Sequence, residues 1–209
     1  MSSALLAMLK DEKINSEVRH HIAYSLGRLG DKEMSSALLA LLKDDNIHKY
    51  VRHGIANALG RLRDKGMATE LLALLKDEKI DSEVRRSIAY ALGDIRDKTM
   101  TPELLALLKD DNIHKWVRRG IVSAISDLGD KGMVQELLAM LKDETINSDV
   151  RHHIAYSLKI LGDKGTVQEL LVMLKDEKIN SEVRHGIAFT LGRLGDKEMS
   201  SALLAMLKD

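Results

Sequence analysis

The stretch VRHHIAYSLGRLGDK at residues 18–32 returns with few changes every 33 residues along the chain. The tripeptide LKD follows the same period, with its aspartate at positions 11, 44, 77, 110, 143, 176 and 209. Self-similarity at a period of about 20 to 50 residues is typical of solenoids and related repeat architectures. The period divides the chain into six repeats, 1–33, 34–66, 67–99, 100–132, 133–165 and 166–198, and a partial seventh at 199–209.

Each repeat carries the apolar spacing of two helices. In repeat one, the first stripe comprises Leu5, Leu6, Met8 and Leu9, and the second comprises Val18, Ile22, Leu26 and Leu29. We therefore predict six helix pairs, each with a first and a second helix, and one extra helix over 199–209. Because such repeats contact mainly their neighbours, we predict a single all-α domain over 1–209, an αα-superhelix or solenoid.

Composition narrows the classes of partner. Lys plus Arg and Asp plus Glu each number 32, so no net charge steers the whole molecule toward nucleic acid or an anionic membrane. The chain has no cysteine, which excludes disulfides and thiolate metal sites and fits a reducing compartment. No apolar run approaches the roughly 20 residues of a membrane span, and the start lacks the basic leader of a signal peptide. We expect a cytoplasmic protein without a membrane partner.

Some letters are identical in all six repeats and are expected to build the stack. They are the arginine at 19, 52, 85, 118, 151 and 184 and the Asp-Lys pair that starts at 31, 64, 97, 130, 163 and 196. We predict that this arginine is buried and reaches a loop carboxylate of its own or the next repeat. Gly27, Gly60, Gly93 and Gly192 are predicted to allow close helix packing. At the start of the second helix, His48 and His114 stand where other repeats have better capping residues, Asn or Asp.

The pattern VRxxIAxxLGxLGDK resembles the short HEAT-like repeat of phycobilin lyases, and equally the artificial binding proteins built on that repeat. The resemblance covers the whole chain and implies an alpha solenoid with the second helices on its concave face. Deoxyhypusine hydroxylases are HEAT-like proteins that bind two irons through His-Glu dipeptides placed after the Val-Arg pair. Here that slot begins with His in four repeats, as in His20-His21, but Glu follows in none. The oxygen ligands of such an iron site are therefore missing.

Positions that vary between repeats point to a binding face. Positions 17, 20, 21, 24 and 28 and their equivalents follow one side of the second helix, opposite the apolar stripe. These 30 positions hold all six aromatic residues and six of the eight histidines. Aromatic, Arg and His side chains are typical of protein-recognition surfaces. The predicted partner-binding residues are Trp116, Tyr50, His20, His21, Tyr24, His53, Arg86, Tyr90, Arg119, His152, His153, Tyr156, His185 and Phe189.

The aromatic residues fall into two columns, that is, two equivalent positions of the repeat, and the predicted exposure differs between them. Tyr24, Tyr90, Tyr156 and Phe189 also fit inter-repeat packing, because aromatic residues at helical spacing are often buried. Tyr50 and Trp116 occupy a slot that holds Glu or Asp in the other four repeats, so this slot is predicted to be exposed. Trp116 is the leading hot-spot candidate, with Tyr50 on the same face two repeats away.

The charges and histidines of the same stripe bear on nucleic acid and metal binding. It contains five arginines and six carboxylates, whereas a phosphate-binding groove needs a clear positive excess, so we expect no nucleic acid partner. The weak metal candidates are the pairs His20 with His53 and His152 with His185, which lack a third ligand, so we expect neither metal nor cofactor. Histidines on the face predict a partner affinity that changes between about pH 5 and 8.

The sequence thus predicts a non-catalytic scaffold that binds a protein or peptide on the face of its second helices. No nucleophile stands beside a base, and no Gly-rich phosphate loop occurs, so we expect no enzyme. An alternative is self-assembly, because MSSALLAMLKD at 1–11 is repeated letter for letter at 199–209 and allows end-to-end exchange into a homo-oligomer. A third possibility is a bilin-lyase-like or metal-binding protein. The near-identity of the repeats fits a segment of a longer natural array as well as a designed one.

Overall fold

The computed structural model describes residues 1–110 and 112–194, which form helices joined by short turns. The predicted helix over 199–209 lies outside these residues. The helices are α1 (Ser2–Lys10), α2 (Ser16–Leu29), α3 (Ser35–Lys43), α4 (Lys49–Leu62), α5 (Ala68–Lys76), α6 (Ser82–Ile95), α7 (Thr101–Leu108), α8 (Lys115–Leu128), α9 (Val134–Lys142), α10 (Ser148–Leu161), α11 (Lys164–Lys175) and α12 (Ser181–Leu194). Over the described ranges there is no strand, so the predicted all-α class is confirmed.

Odd-numbered helices are the first helices of the repeats and even-numbered helices are the second. In the six LKD tripeptides that the structure describes, the aspartate ends or follows the first helix. Its side chain accepts a backbone N–H two residues later, as from Lys13 to Asp11 at 3.0 Å. Such a local bond favours a turn over further helix. The chain therefore turns at the same place in every described repeat.

Histidine caps the second helix in two repeats. Nδ1 of His48 accepts the backbone N–H of Tyr50 at 3.2 Å, and Nδ1 of His114 accepts that of Trp116 at 3.3 Å. Asn15 makes the same bond with the N–H of Glu17 at 2.7 Å. The histidine nitrogen thus takes the place of the usual capping oxygen.

The invariant Asp-Lys pair leads into the first helix of the next repeat. In four repeats its aspartate precedes a 3₁₀ turn and accepts the N–H two residues later; the turns are Lys32–Met34, Lys65–Met67, Lys98–Met100 and Lys131–Met133. Asp163 instead forms a capping box with Thr166 at the start of α11. The aspartate is invariant because it caps the entry to a first helix.

The invariant arginine is buried in repeats one to five and half-buried at Arg184, and its main partner differs from the predicted loop carboxylate. Nε of Arg19, Arg52 and Arg85 donates to the carbonyl oxygen of Leu9, Leu42 and Leu75 at 2.8, 2.9 and 2.8 Å. These carbonyls end the first helix of the same repeat and have no intrahelical donor. A carboxylate is added at Arg52, which pairs with Asp45 at 2.9 Å. The arginine therefore joins the two helices of one repeat rather than locking neighbouring repeats.

The helices group into two compact units, Met1–Leu128 and a second that begins at Gly129. In the first unit the second helices α2, α4, α6 and α8 pack side by side, and each first helix packs on the second helix of its own repeat. In the second unit α10 packs on α12, α9 packs on α10, and α11 packs on α12. The single domain predicted over 1–209 stays a prediction.

Glycines set the spacing of the second helices in the first unit. A Cβ added at Gly27, Gly60 or Gly93 would lie 2.8 Å from the Cα of an alanine in the next second helix, which is Ala58, Ala91 or Ala124. Real Cβ atoms do not come so close to a backbone atom. The predicted role of these glycines in close packing is confirmed at these three positions.

The core runs between the helix pairs and is open at the first repeat. Val51 in α4 is 0% exposed, whereas Val18, its equivalent in α2, is 48% exposed. Leu29 at the other end of α2 is also exposed. The stacking side of repeat one thus remains in contact with solvent. Among the described helices, none is long and apolar enough to cross a bilayer.

First helices of successive repeats are joined by surface ion pairs. Lys43 pairs with Glu70, Lys76 pairs with Glu103, and Lys142 pairs with Glu169 at 2.8 Å. In each pair the lysine ends one first helix and the glutamate lies in the next. Exposed pairs of this kind contribute about 0–1 kcal/mol each.

Candidate functional site

The candidate residues of the first unit lie on the exposed side of four adjacent second helices. His20 in α2, Tyr50 and His53 in α4, Arg86 in α6 and Trp116 in α8 all stand in the first two turns of their helices. Parallel packing of the second helices places these turns at the same end of the unit. The structure therefore brings the most important predicted residues of repeats one to four onto one surface.

His20 connects the first two repeats on this surface. Its Nδ1 donates to the carbonyl oxygen of Tyr50 at 3.0 Å, and its ring stacks on the Tyr50 ring with centroids 4.3 Å apart. His20 also stacks on His53, with centroids 5.5 Å apart and planes 6° from parallel. Because a carbonyl can only accept, Nδ1 of His20 carries a proton. His21, which is exposed, contacts the edge of the His20 ring.

His53 is held as a neutral ring by a chain of hydrogen bonds. The Ser87 hydroxyl donates to the carbonyl oxygen of Glu83 at 2.9 Å, so it accepts from Nδ1 of His53. Nε2 of His53 then accepts from the Asn57 amide at 3.2 Å. Burial lowers the pKa of His53, and the charges of His20 and Arg86 lower it further, against an opposing effect of Glu83. Both ring nitrogens are thus satisfied without a second proton.

An open cavity of about 190 Å³ lies between α4 and α6 at this end of the unit. It is lined by Lys49, Tyr50, His53, Glu83 and Arg86. Lys49 pairs with Glu83 at 3.3 Å and with Asp81 at 3.7 Å, and these two carboxylates raise its pKa. The lysine therefore neutralises the carboxylates that stand nearest the cavity.

Trp116 is 38% exposed and lies among three cations. Nζ of Lys115 is 5.4 Å from the centroid of the indole ring, and the guanidinium carbons of Arg86 and Arg119 are 5.8 and 6.0 Å from it. Cations near an aromatic face are attracted by its quadrupole. Arg86 thus connects the cavity between α4 and α6 to the tryptophan of α8.

The far end of the same helices carries a different set of charges. The guanidinium of Arg61 lies 4.3 Å above the ring of Tyr24. In α6 and α8 the equivalent positions are Asp94 and Asp127. Partial burial and the nearby Asp94 raise the pKa of Asp127, against the opposing effects of Arg96 and a hydrogen bond from Ser123. The two carboxylates therefore repel each other.

The second unit repeats the histidine contact of the first. Nδ1 of His152 donates to the carbonyl oxygen of Glu182 at 2.9 Å, and its ring lies 5.9 Å from that of His185. Tyr156 stacks on Phe189 at 4.5 Å, and His153 approaches Asp149 at 3.5 Å. The candidate residues therefore form two groups, one in each compact unit, and the continuity of the stripe between them stays a prediction.

The two aromatic columns are both partly open to solvent. Tyr50 is 43% exposed, which agrees with the acidic residues found in its slot elsewhere. Tyr24 and Phe189 are also exposed, and Tyr90 and Tyr156 are half-buried. Inter-repeat packing, the alternative considered for the second column, is seen for Tyr156 and Phe189 without full burial of either ring.

The weak metal candidates are engaged in other contacts. The His20 and His53 rings are stacked and nearly parallel, so their nitrogen lone pairs lie in separate planes, and both nitrogens of His53 have protein partners. A metal ion needs lone pairs that converge on one point. Over the described residues, no group of three or more His, Cys, Asp or Glu residues has the arrangement of a metal site.

Two lysines of the site were missing from the predicted set. Lys49 lines the cavity, and Lys115 contacts Trp116. The signal was present in the sequence, because Tyr50 and Trp116 both follow His-Lys, whereas serine occupies the lysine position in the other four repeats. A lysine that appears only beside an exposed aromatic residue is a candidate for the same surface.

Two solved structures are similar to this chain to different degrees. A chain in the complex of CpcE and CpcF of phycocyanin lyase from Nostoc sp. PCC7120 is similar with a TM-score of 0.59 and 21% identity, over 97% of this chain and 80% of that chain. Human deoxyhypusine hydroxylase in complex with glycerol has a TM-score of 0.43 and 22% identity, over 100% of this chain and 78% of that chain. At these identities the first likeness supports the fold alone.

The family of the chain is shown by its sequence as well. The sequence matches no curated protein. A family model described as HEAT repeats matches residues 2–81, 79–159 and 147–209, which together cover nearly the whole chain. The structure agrees with this match, because each described repeat is a pair of helices. The chain belongs to the HEAT repeat family.

Proposed function

We propose that the chain is a non-catalytic protein-binding scaffold, and that a protein or peptide binds the exposed side of its second helices. The surface formed by α2, α4, α6 and α8 is the main contact in this proposal, and we take it as the concave side of the repeat array. The cytoplasmic location expected from the cysteine-free sequence is part of the same proposal.

The observation that carries the proposal is the exposure of Trp116 and Tyr50. Large aromatic side chains bury much area with few rotatable bonds, and tryptophan and tyrosine are enriched among residues that dominate binding energy. Both stand in the first turn of a well-packed helix, which holds them in place before a partner arrives. A rigid surface loses less entropy on binding than a mobile one.

The contacts around Tyr50 support this interpretation. His20 from the neighbouring repeat holds both the carbonyl oxygen and the ring of Tyr50, and His53 is fixed by Ser87 and Asn57. Repeats that pack on one another thus pre-organise the side chains that they present. The surface depends on the stacking of repeats, because no single repeat contains all of its contacts.

The test is selection of peptides from a displayed random library on the immobilised full chain. We expect enriched peptides to bind the Trp116→Ala variant roughly thirtyfold more weakly or worse, as for a hot-spot residue. Val172→Ala is the matched control, because Val172 is 71% exposed but lies on the first helix α11. Its affinity for the same peptides should be unchanged.

Two results would contradict the scaffold proposal. One is a library that yields no enriched peptide over several rounds. The other is enriched peptides whose affinity is the same for the wild type and for a variant that combines Trp116→Ala with Tyr50→Ala. Circular dichroism of each variant confirms that a loss of binding does not reflect a loss of helix.

End-to-end assembly is a second candidate function. It is favoured by the exposure of Val18 and Leu29 on the stacking side of repeat one, where the interior equivalent Val51 is buried. His21 occupies the position that Gly54 has in repeat two, where Gly54 closely approaches His20, so the His21 side chain would lie in such a joint. Residues 199–209 lie outside the described part of the chain.

Light scattering behind a sizing column tests this candidate. Assembly through repeat one predicts a molar mass that rises above the 23.3 kDa of one chain as the protein concentration increases. Val18→Lys should return the mass to that of one chain, because it places a charge in the joint. A mass of one chain at every concentration contradicts end-to-end assembly.

A further inference from the structure

The surface around Trp116 has more positive charge than its own carboxylates neutralise. Within the described residues of the first unit, Arg86 and Arg119 form no ion pair with a carboxylate. Nε of Arg86 is shielded from solvent and has no hydrogen-bond partner there. Asp81 and Glu83, at the start of α6, are both paired with Lys49. The two guanidinium groups therefore keep donors for an incoming acceptor.

The arrangement of these groups selects an anion that also carries an apolar group. Lys115, Arg86 and Arg119 surround an indole ring that remains partly open to solvent. Guanidinium groups bind carboxylates through paired hydrogen bonds, and the ring offers an apolar face beside them. Arg86 and Arg119 belong to adjacent second helices, whose axes are about 10 Å apart at most in packed helices. Two carboxylates on one short segment can span that distance.

We propose that the partner is an acidic protein segment, with carboxylates that bind Arg86 and Arg119 and an apolar side chain that packs on Trp116. This proposal rests on the scaffold function and adds the chemistry of its partner. The segment crosses the amino-terminal turns of α4, α6 and α8, and the cavity beside Tyr50 accepts its next side chain.

Charges at the opposite end of α6 and α8 support a segment that crosses the helices. Asp94 and Asp127 stand eight residues beyond Arg86 and Arg119, which is about 12 Å along a helix. A segment rich in carboxylates that ran along α6 or α8 would meet these charges and be repelled. Binding across the helices avoids that repulsion. The charges at the two ends thus favour an acidic segment that runs across the helices over one that runs along them.

Trp116 is the single tryptophan of the chain, so its fluorescence reports directly on this surface. The probe is a short capped peptide in which glutamates flank a central leucine, titrated into the full chain at low salt. The comparison peptide has glutamine in place of every glutamate. We expect a saturable change in Trp116 fluorescence with the acidic peptide, and about a tenfold or greater loss of affinity with the glutamine peptide.

Matched variants separate a specific site from attraction by charge in general. Arg86→Gln combined with Arg119→Gln removes two positive charges from the surface around Trp116. Lys43→Gln combined with Lys76→Gln removes two charges from the first helices, where each lysine forms an exposed ion pair. We expect the first variant to bind the acidic peptide on the order of tenfold more weakly or worse. We expect the second to bind it as the wild type does.

Three outcomes would overturn the proposal. The first is no saturable fluorescence change with the acidic peptide. The second is equal affinity of the wild type and the Arg86→Gln, Arg119→Gln variant. The third is tighter binding of a thymidine oligonucleotide than of the acidic peptide at the same salt concentration, which would assign the surface to nucleic acid. If library selection enriches neutral or basic peptides that depend on Trp116, the scaffold function stands and the acidic partner is wrong.

Discussion

Gly60 in α4 lies directly against Ala91 in α6, so that a Cβ at position 60 would be 2.8 Å from the Cα of Ala91. The same relationship joins Gly27 with Ala58 and Gly93 with Ala124. Because the obstacle is a backbone atom, a side chain at position 60 forces the two helices apart. The distance between second helices in the first unit depends on these glycines.

Gly60→Ala is therefore expected to destabilise the protein. Overpacking a tight contact typically costs about 1–3 kcal/mol, which outweighs the better helix propensity of alanine. The measurement is the free energy of unfolding in urea. Gly192→Ala in α12 is the control, because over the described residues nothing lies within 4 Å of the added Cβ. This variant should be as stable as the wild type or up to about 1 kcal/mol more stable. Equal stability of Gly60→Ala and the wild type would contradict the packing argument.

Arg85→Lys is expected to destabilise the third repeat. Nε of buried Arg85 donates to the carbonyl oxygen of Leu75 at 2.8 Å, and lysine cannot reproduce this planar donor. A carbonyl left without its buried partner costs about 1–3 kcal/mol. Urea denaturation of Arg85→Lys and of Arg28→Lys provides the comparison, because Arg28 is exposed on α2. If both substitutions have the same small effect, the arginine does not join the helices of its repeat.

Acidification is expected to lower stability in part through His53. The unfolded chain protonates this histidine near its ordinary pKa of about 6.5, whereas burial, His20 and Arg86 lower the pKa of folded His53 and Glu83 opposes them. The unfolded state therefore binds more protons below about pH 6.5, and the free energy of unfolding decreases until folded His53 is also protonated.

Unfolding of the wild type and of His53→Gln at pH 7.5 and pH 5 measures this contribution. The other seven histidines are present in both proteins, so the difference between the two pH dependences isolates residue 53. The wild type should lose more stability on acidification than His53→Gln. Parallel losses would show that His53 has an ordinary pKa in the folded protein.

Asp127→Asn is expected to stabilise the protein at neutral pH. Partial burial and Asp94 raise the pKa of Asp127, so its charge opposes folding once the pH exceeds that raised value. Removing a repulsion between like charges at a partly exposed site gains roughly 0.2–0.5 kcal/mol. The gain should disappear below about pH 3, where the carboxyl is largely neutral in both states. Glu12→Gln, which removes an exposed charge elsewhere, should show no such gain in thermal or urea unfolding.

Helix pairs and their repeat length could be read from the sequence because they depend on local spacing. Val18, Ile22, Leu26 and Leu29 recur at helical intervals, and the same letters return every 33 residues. Exposure of Trp116 could be predicted for a similar reason, since acidic residues occupy its slot in other repeats. Its exposed ring agrees with that prediction.

The partner of the invariant arginine could not be predicted in the same way. Conserved spacing shows that Arg52 serves every repeat alike, but a buried guanidinium is satisfied equally well by a carboxylate or by a carbonyl. The invariant aspartate suggested the first, whereas Nε of Arg52 donates to the carbonyl of Leu42, and the carboxylate that Arg52 also reaches belongs to Asp45. The aspartate is used instead as a cap for the next first helix.

Local pattern thus accounts for the all-α class, the six helix pairs and the identity of the exposed aromatic residues, because each of these depends on residues within one or two turns of a helix. Contacts between helices account for the rest. The bond from His20 to Tyr50, the fixed ring of His53 and the cations around Trp116 join residues about 30 positions apart or bring adjacent helices together. Such distances are set by how closely the helices pack, which the letters of a single repeat do not contain.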